Sequence, residues 1–200
     1  MKKRIILKSP SRIHLGFLEL NQSSPRIFGS LGLTISKFED IITIQENKKF
    51  EVESKNLDVK LKIQDILGIF SKIKKIKKCK IIVKKFIPTH QGLGSGTQLS
   101  LSVGFLISQL NNLKMDINQI SQVLNRGNRS GIGIEAFESG GFIIDLGKNK
   151  KSKRMTPNEI KFFIQHYEKI TKWMMKDLNK KAQIVIKFEK NHKISSINFN

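Results

Sequence analysis

Pro88-Thr-His-Gln-Gly-Leu-Gly-Ser-Gly-Thr-Gln-Leu-Ser-Leu-Ser102 reads as a glycine-rich loop that opens directly onto a helix. Gly92, Gly94 and Gly96 lack a Cβ, so the backbone can turn tightly and lie close to a ligand. Leu99, Val103, Leu106 and Leu110 recur at helical spacing and anchor the helix that follows. The first turn, from Ser95 to Thr97, then points its N–H groups back into the loop, where the positive end of the helix dipole favours an anion, above all a phosphate. Neither standard phosphate motif is present. No Lys stands between Pro88 and Gln109, so this is not a Walker loop, and the glycine spacing is not that of the dinucleotide fingerprint. The structural alternative is a tight strand-to-helix turn without a ligand.

A second glycine cluster, Asn125-Arg-Gly-Asn-Arg-Ser-Gly-Ile-Gly-Ile-Glu-Ala-Phe-Glu-Ser-Gly-Gly-Phe-Ile-Ile-Asp-Leu-Gly147, supports a ligand. Arg126 and Arg129 stand among its glycines, beside Ser130. The guanidinium offers a planar fork of donors that matches phosphate or carboxylate oxygens, and the chain has only six Arg against 31 Lys. The alternative is a solvated loop. Phe142 to Asp145 reads as a short buried strand ending in a carboxylate, which could serve as a site residue or a strand-end cap. At the N-terminus, Ser9-Pro-Ser-Arg-Ile-His-Leu-Gly-Phe-Leu-Glu19 reads as a strand, and Arg12 and His14, two apart, project from one face. His14 is either a site residue or a hydrogen-bonded structural one. Arg26, followed by Ile-Phe-Gly-Ser-Leu-Gly-Leu33, repeats the pairing of an Arg with small residues.

Three stretches, Pro-Ser-Arg-Ile-His-Leu-Gly at 10–16, Gly-Leu-Gly-Ser-Gly-Thr-Gln at 92–98 and Arg-Gly-Asn-Arg-Ser-Gly-Ile-Gly-Ile at 126–134, resemble the GHMP kinase superfamily in the right order over residues 4–147. They are most similar to its non-kinase branch, the beta-ribofuranosylaminobenzene 5'-phosphate synthases of methanopterin biosynthesis. The kinases usually carry Pro-Ser-Gly followed closely by a catalytic Asp. Here Arg129-Ser-Gly-Ile-Gly133 puts Gly133 at that position, so a phosphoryl-transfer enzyme would lose its base.

The resemblance implies an α+β two-layer sandwich of the ribosomal protein S5 domain 2-like type over residues 1–147. It also implies a transferase chemistry, the joining of 4-hydroxybenzoate or 4-aminobenzoate to phosphoribosyl pyrophosphate with release of CO2 and pyrophosphate. The residues suit such an anionic small-molecule substrate. Gly92, Gly94, Ser95, Gly96, Thr97 and Gln98 are candidates for the diphosphate, and Arg12, Arg26, Arg126, Arg129 and Ser130 for phosphate or benzoate. Mg2+ is the expected cofactor, with Asp145 and Glu138 as candidate ligands. His14 and Asp145 are the catalytic candidates, His14 as an acid toward the ring and Asp145 as a carboxylate near the positive charge that builds on the ribose carbon. The alternatives are a non-catalytic phosphate- or nucleotide-binding module and, opposed by Gly133, an ATP-dependent small-molecule kinase.

The net charge of +21 divides almost equally at Gly147, with 23 basic and 12 acidic residues before it and 14 and 4 after. A sequence rich in Lys, Ile and Asn with an anionic substrate accounts for this. Nucleic acid is not the expected partner, because stacking aromatics interleaved with Arg, helix-turn-helix patterns and zinc motifs are absent. Cys79 is the single cysteine and reads as a buried strand residue, so no internal disulfide can form. No signal peptide or membrane-length apolar run is seen, and the expected location is the cytoplasm.

Strands are expected at 5–8, 13–20, 31–36, 41–46, 50–53, 80–86 and 142–145, and helices at 59–73, after the loop, and near 117–124. Residues 148–200 read as a basic linker and a tail. Thr156-Pro-Asn-Glu159 is a good helix start, and Phe162, Tyr167, Ile170 and Trp173 give the helix to about residue 178 an apolar face. A strand is expected at 183–188. This tail does not look like the second domain of the family, which leaves a truncated chain, a degenerate paralogue or completion by another subunit. A homodimer is the expectation.

Overall fold

A computed structural model describes residues 3–18, 26–149, 183–187 and 195–198. Two long antiparallel strands form its spine, β1 (Arg4–Phe17) and β3 (Ser30–Glu46). Each merges two of the strands expected from the sequence. The polar stretches that seemed to divide them are absorbed as irregularities, with register shifts at Pro10/Ser11 and at His14/Gly16. Such bulges turn side chains locally without ending the strand. Opposite β1, the C-terminal half of β3 pairs with β5 (Cys79–Lys85), and its N-terminal half pairs with β6 (Phe142–Asp145). The short β4 (Glu51–Glu53) lies parallel to β5 at one edge. At the other, β8 (Gln183–Lys187) runs parallel to β6 and carries β9 (Ser195–Asn198), giving seven strands. A separate pair joins β2 (Arg26–Ile27) to β7 (Lys148–Asn149), so residues at the start of the expected linker are strand-paired.

Among the described residues four helices accompany the sheet in an α+β architecture. α1 (Leu57–Ile73) is capped by the Asn56 side chain, which accepts from the Val59 N–H at 3.0 Å, and buries Val59, Ile63, Ile66, Leu67 and Phe70. α2 (Ser95–Asn111) is the central helix and is buried on most sides, including Leu101, Val103, Leu106, Ile107 and Leu110. α3 (Ile117–Val123) opens with a capping box between Asp116 and Gln119. α4 (Ile132–Glu138), not foreseen from the glycine-rich sequence, packs on α2, β1, β3 and β6. Helices and sheet share one apolar core that includes Ile42, Ile44, Ile81 and Cys79. Burial pushes the Cys79 thiol up to about 11, so it is an inert core residue. The other side of β1 leaves Ile13, Leu15 and Phe17 exposed. The layering is that of a two-layer sandwich. The helix expected at 157–178, with Phe162, Tyr167, Ile170 and Trp173, lies outside the described residues. No described helix is long and apolar enough to cross a membrane.

Candidate active site around the first turn of α2

The glycine-rich loop is held down by β1. The Arg12 backbone N–H donates to the Leu93 carbonyl at 3.0 Å, and its guanidinium donates to the Gly92 carbonyl at 3.1 Å. Gly92 and Gly94 have φ of +72° and +76°, where a side chain is strained, and a Cβ on Gly94 would lie 2.9 Å from Arg12 Nε. Gly94 is therefore required first by the loop's own seat on Arg12. It caps α2, and its carbonyl accepts from Thr97 and Gln98 at 3.0 and 3.1 Å. No side chain caps this helix, so the N–H groups of its first residues, Ser95 and Gly96, are left for a ligand.

Two basic clusters border this turn. On β1, Arg12 and His14 lie together as their spacing requires. The Gly16 N–H, turned by the bulge, donates to His14 Nδ1 at 3.2 Å, so the neutral ring carries its proton on Nε2. That Nε2 is buried without a partner, as is Arg12 Nε. Burial first, then the neighbouring Arg12, lowers the His14 pKa, with Asp145 opposing, and burial lowers that of Arg12. The other cluster comes from α1. Lys62 reaches the helix start, where a Cβ on Gly96 would lie 3.2 Å from its Nζ. Burial and then Arg126 lower the Lys62 pKa, with Asp65 opposing, and Arg126 Nε is itself buried without a partner. Arg126, with an unmet buried donor and a second cation near it, gains from a bound anion. Sequence reasoning missed Lys62, which stands in a Lys-rich helix where nothing in the pattern distinguishes it.

Other candidates have protein partners or positions of their own. Gln98 is fully buried, and its amide donates to the Gly133 carbonyl at 2.8 Å, so it ties α2 to α4 and does not face a ligand. Ser130 shares a hydrogen bond of 2.8 Å with Ser30 and accepts from the Ile132 N–H, which makes it a strut of the loop before α4. Arg129 is exposed in that loop, and Arg26 is placed by backbone pairing opposite Asn149. Asp145 is buried and accepts from the Gly131 N–H at 2.5 Å and the Gly147 N–H at 3.0 Å. It holds the start of α4 and acts on His14 through space. Glu138 is exposed at the far end of α4, about 10 Å along the axis from Gly131 by helical rise. Asp145 and Glu138 therefore do not converge on one ion. Among the described residues no three His, Cys, Asp or Glu cluster as metal ligands, and these side chains do not fit a protein-held magnesium.

Gly133 sits where α4 crosses α2. A Cβ there would meet Thr97 Cγ2 at 2.9 Å. Where the sequence resemblance puts the kinases' Asp, this chain has a glycine whose Cβ position faces Thr97.

Fold and site together define the class. Residues 60–141 match the GHMP kinases N terminal domain, and the chain belongs to the GHMP kinase superfamily through that domain. Mevalonate kinase from methicillin-resistant Staphylococcus aureus shares the fold at a TM-score of 0.51 and 13% identity, covering 74% of this chain and 54% of that one. Within the class the chain is similar to the beta-ribofuranosylphenol 5'-phosphate synthase of Methanocaldococcus jannaschii, at 37% identity over 176 residues, 77% of this chain and 52% of the relative. It is also similar to the enzyme of that name from Methanothermobacter thermautotrophicus, at 31% identity over 74% of this chain and 48% of the relative. The chain spans about half the length of these curated relatives.

Proposed function

We propose that the protein is a synthase of methanopterin biosynthesis that condenses a 4-substituted benzoate with phosphoribosyl pyrophosphate, releasing CO2 and pyrophosphate. The curated relatives' name, a ribofuranosylphenol phosphate synthase, favours 4-hydroxybenzoate over 4-aminobenzoate. The observation that carries the reading is the approach of Arg12 from β1 and of Lys62 from α1, with Arg126 near Lys62 and His14 near Arg12, to a single uncapped helix start. The diphosphate lies there, on the Ser95 and Gly96 N–H groups, with the basic side chains holding its charge as the bond to ribose C1 breaks. Magnesium accompanies the diphosphate as its counter-ion and neutralises charge on the leaving group.

The new carbon–carbon bond forms at the ring carbon that carries the carboxylate. The electron pair of the lost C–CO2 bond returns to the ring, so atoms balance without a proton from the protein. His14 is then not required as an acid, and its lowered pKa agrees with a neutral ring. Its buried Nε2–H is a donor to substrate oxygen. The domain acts in the cytoplasm as part of a homodimer.

The test is 4-hydroxybenzoate labelled in its carboxyl group, supplied with phosphoribosyl pyrophosphate and Mg2+. Label leaves as CO2, one for each pyrophosphate. Binding of phosphoribosyl pyrophosphate with no CO2 from either benzoate would overturn synthesis and leave a binding module. ATP-dependent phosphorylation of a small alcohol would overturn the branch.

A further inference from the structure

Beside the first turn of α2, on its α1 side, lies a cavity of about 230 Å³ lined by Val59, Phe86, Ile87 and Leu99, with Lys62, Ser95 and Gly96 where it meets the helix start. We propose that this cavity receives the aromatic acid and that Asp40, in its wall, accepts the hydrogen bond, and during reaction the proton, of the ring's para hydroxyl. This rests on the synthase reading above and assigns a place and a contact to its second substrate.

Four observations support it. The volume falls below the roughly 300–1,000 Å³ usual for larger ligands, which suits one ring. Val59, Phe86, Ile87 and Leu99 offer apolar surface to a ring, and Lys62 stands where the cavity meets the helix start, where a carboxylate would be held; Asp40, Asp58, Thr89 and His90 also line it. Asp40 on β3 is 1% exposed; its Oδ1 accepts from the Ile87 N–H at 2.9 Å, and its Oδ2 makes no hydrogen bond of ordinary geometry. Ser9, its cross-strand neighbour, helps the ionised form but engages Ser102 at 2.8 Å. A buried carboxylate oxygen without a donor is costly, and a ligand hydroxyl would supply one. Burial raises the Asp40 pKa to about 7, against the Ile87 and Ser9 hydrogen bonds, which suits a group that takes and returns a proton near neutral pH. The other ionisable residues lining the cavity are Asp58, Lys62 and His90.

The chemistry balances. As the phenol proton moves to Asp40, negative charge spreads to the para carbon, the one that bears the carboxylate. That carbon bonds to ribose C1, whose bond to the diphosphate breaks with its electron pair on the leaving pyrophosphate. CO2 departs, the ring recovers its electrons, and Asp40 returns the proton to the phenol oxygen.

Calorimetry on the full chain with 4-hydroxybenzoate and with unsubstituted benzoate tests this. The wild type should prefer the hydroxylated acid by about ten- to hundredfold, the worth of a hydrogen bond to a charged group. Asp40→Asn should abolish that preference and slow CO2 release, with phosphoribosyl pyrophosphate affinity unchanged. A structural role alone would weaken both acids alike. Thr89→Phe, in the cavity lining, should exclude both acids and spare phosphoribosyl pyrophosphate, which keeps the site testable if Asp40→Asn folds poorly. Retained preference in folded Asp40→Asn, or retained binding in Thr89→Phe, overturns the inference and leaves the synthase reading intact. Absence of CO2 release by the wild type overturns the synthase reading itself.

Discussion

Asp40 makes a prediction about stability that is independent of any ligand. Burial penalises the charge and raises its pKa to about 7 in the folded chain, from an ordinary aspartate value of 3.8. The folded state therefore binds a proton that the unfolded state has released between about pH 4 and pH 7. Unfolding free energy falls as pH rises through that window, since the unfolded chain binds fewer protons there. About three pKa units at 1.36 kcal/mol each give a loss of about 4 kcal/mol by pH 8 relative to pH 4, a large part of the roughly 5–15 kcal/mol of a typical domain. Asp40→Asn removes this titration while keeping an oxygen for the Ile87 N–H. Urea unfolding of both proteins from pH 4 to pH 8 gives the difference directly, because His14, Glu51 and other shifted groups contribute equally to each. The variant should gain on the wild type steadily from pH 4 to pH 7 and hold the gain above it. A difference that stays flat across that range would show that the carboxylate is solvated or paired, and would refute the burial argument.

Other outcomes follow from the same geometry. Lys62→Ala should weaken phosphoribosyl pyrophosphate binding about ten- to hundredfold by calorimetry, whereas Lys72→Ala, exposed at the end of the same helix, should leave it unchanged. Arg126→Ala should cost more affinity than Arg129→Ala, because Arg126 has a buried Nε beside Lys62 while Arg129 is exposed; equal losses would mean a diffuse electrostatic effect. Gly94→Ala should lower the melting temperature as well as affinity, since its Cβ meets Arg12 and its φ is +76°. Gly133→Asp should not create a kinase, and urea unfolding should show it destabilised by about 1–3 kcal/mol through overpacking on Thr97.

The loop, its helix, the sheet strands and the pairing of Arg12 with His14 were legible because each rests on local rules: glycine spacing, helical periodicity and strand alternation. What was not legible depends on partners distant in sequence. The breaks expected in β1 and β3 vanished because each strand has the other to pair with across its polar centre. α4 was hidden because Gly127, Gly131 and Gly133 argue locally for a loop. In the fold Gly133 gives α4 its close approach to Thr97, and Asp145 fixes the helix start through Gly131. Gln98 looked like part of a phosphate loop until the neighbouring helix placed the Gly133 carbonyl against its amide. Lys62 and Asp40 were missed for opposite reasons, one lying among many lysines and the other in a strand with no motif around it.

Gly133 bears on how the proposed site would work. A kinase needs a base beside the attacking hydroxyl, and here a glycine facing Thr97 stands where the resemblance puts it. What remains is a set of donors and cations: the N–H groups of the α2 start, Arg12 with His14 near it, and Lys62 with Arg126 near it. In the proposed reaction such a set would stabilise a departing diphosphate without moving a proton. In the proposed reaction the group that takes and returns a proton is the phenol's partner, and Asp40 lies in the wall of the cavity that Lys62 also lines. Burial among cations would lower its pKa; burial against apolar side chains raises it. In that proposal the donors for the diphosphate lie at the helix start and the proton acceptor lies in the wall of the adjoining cavity.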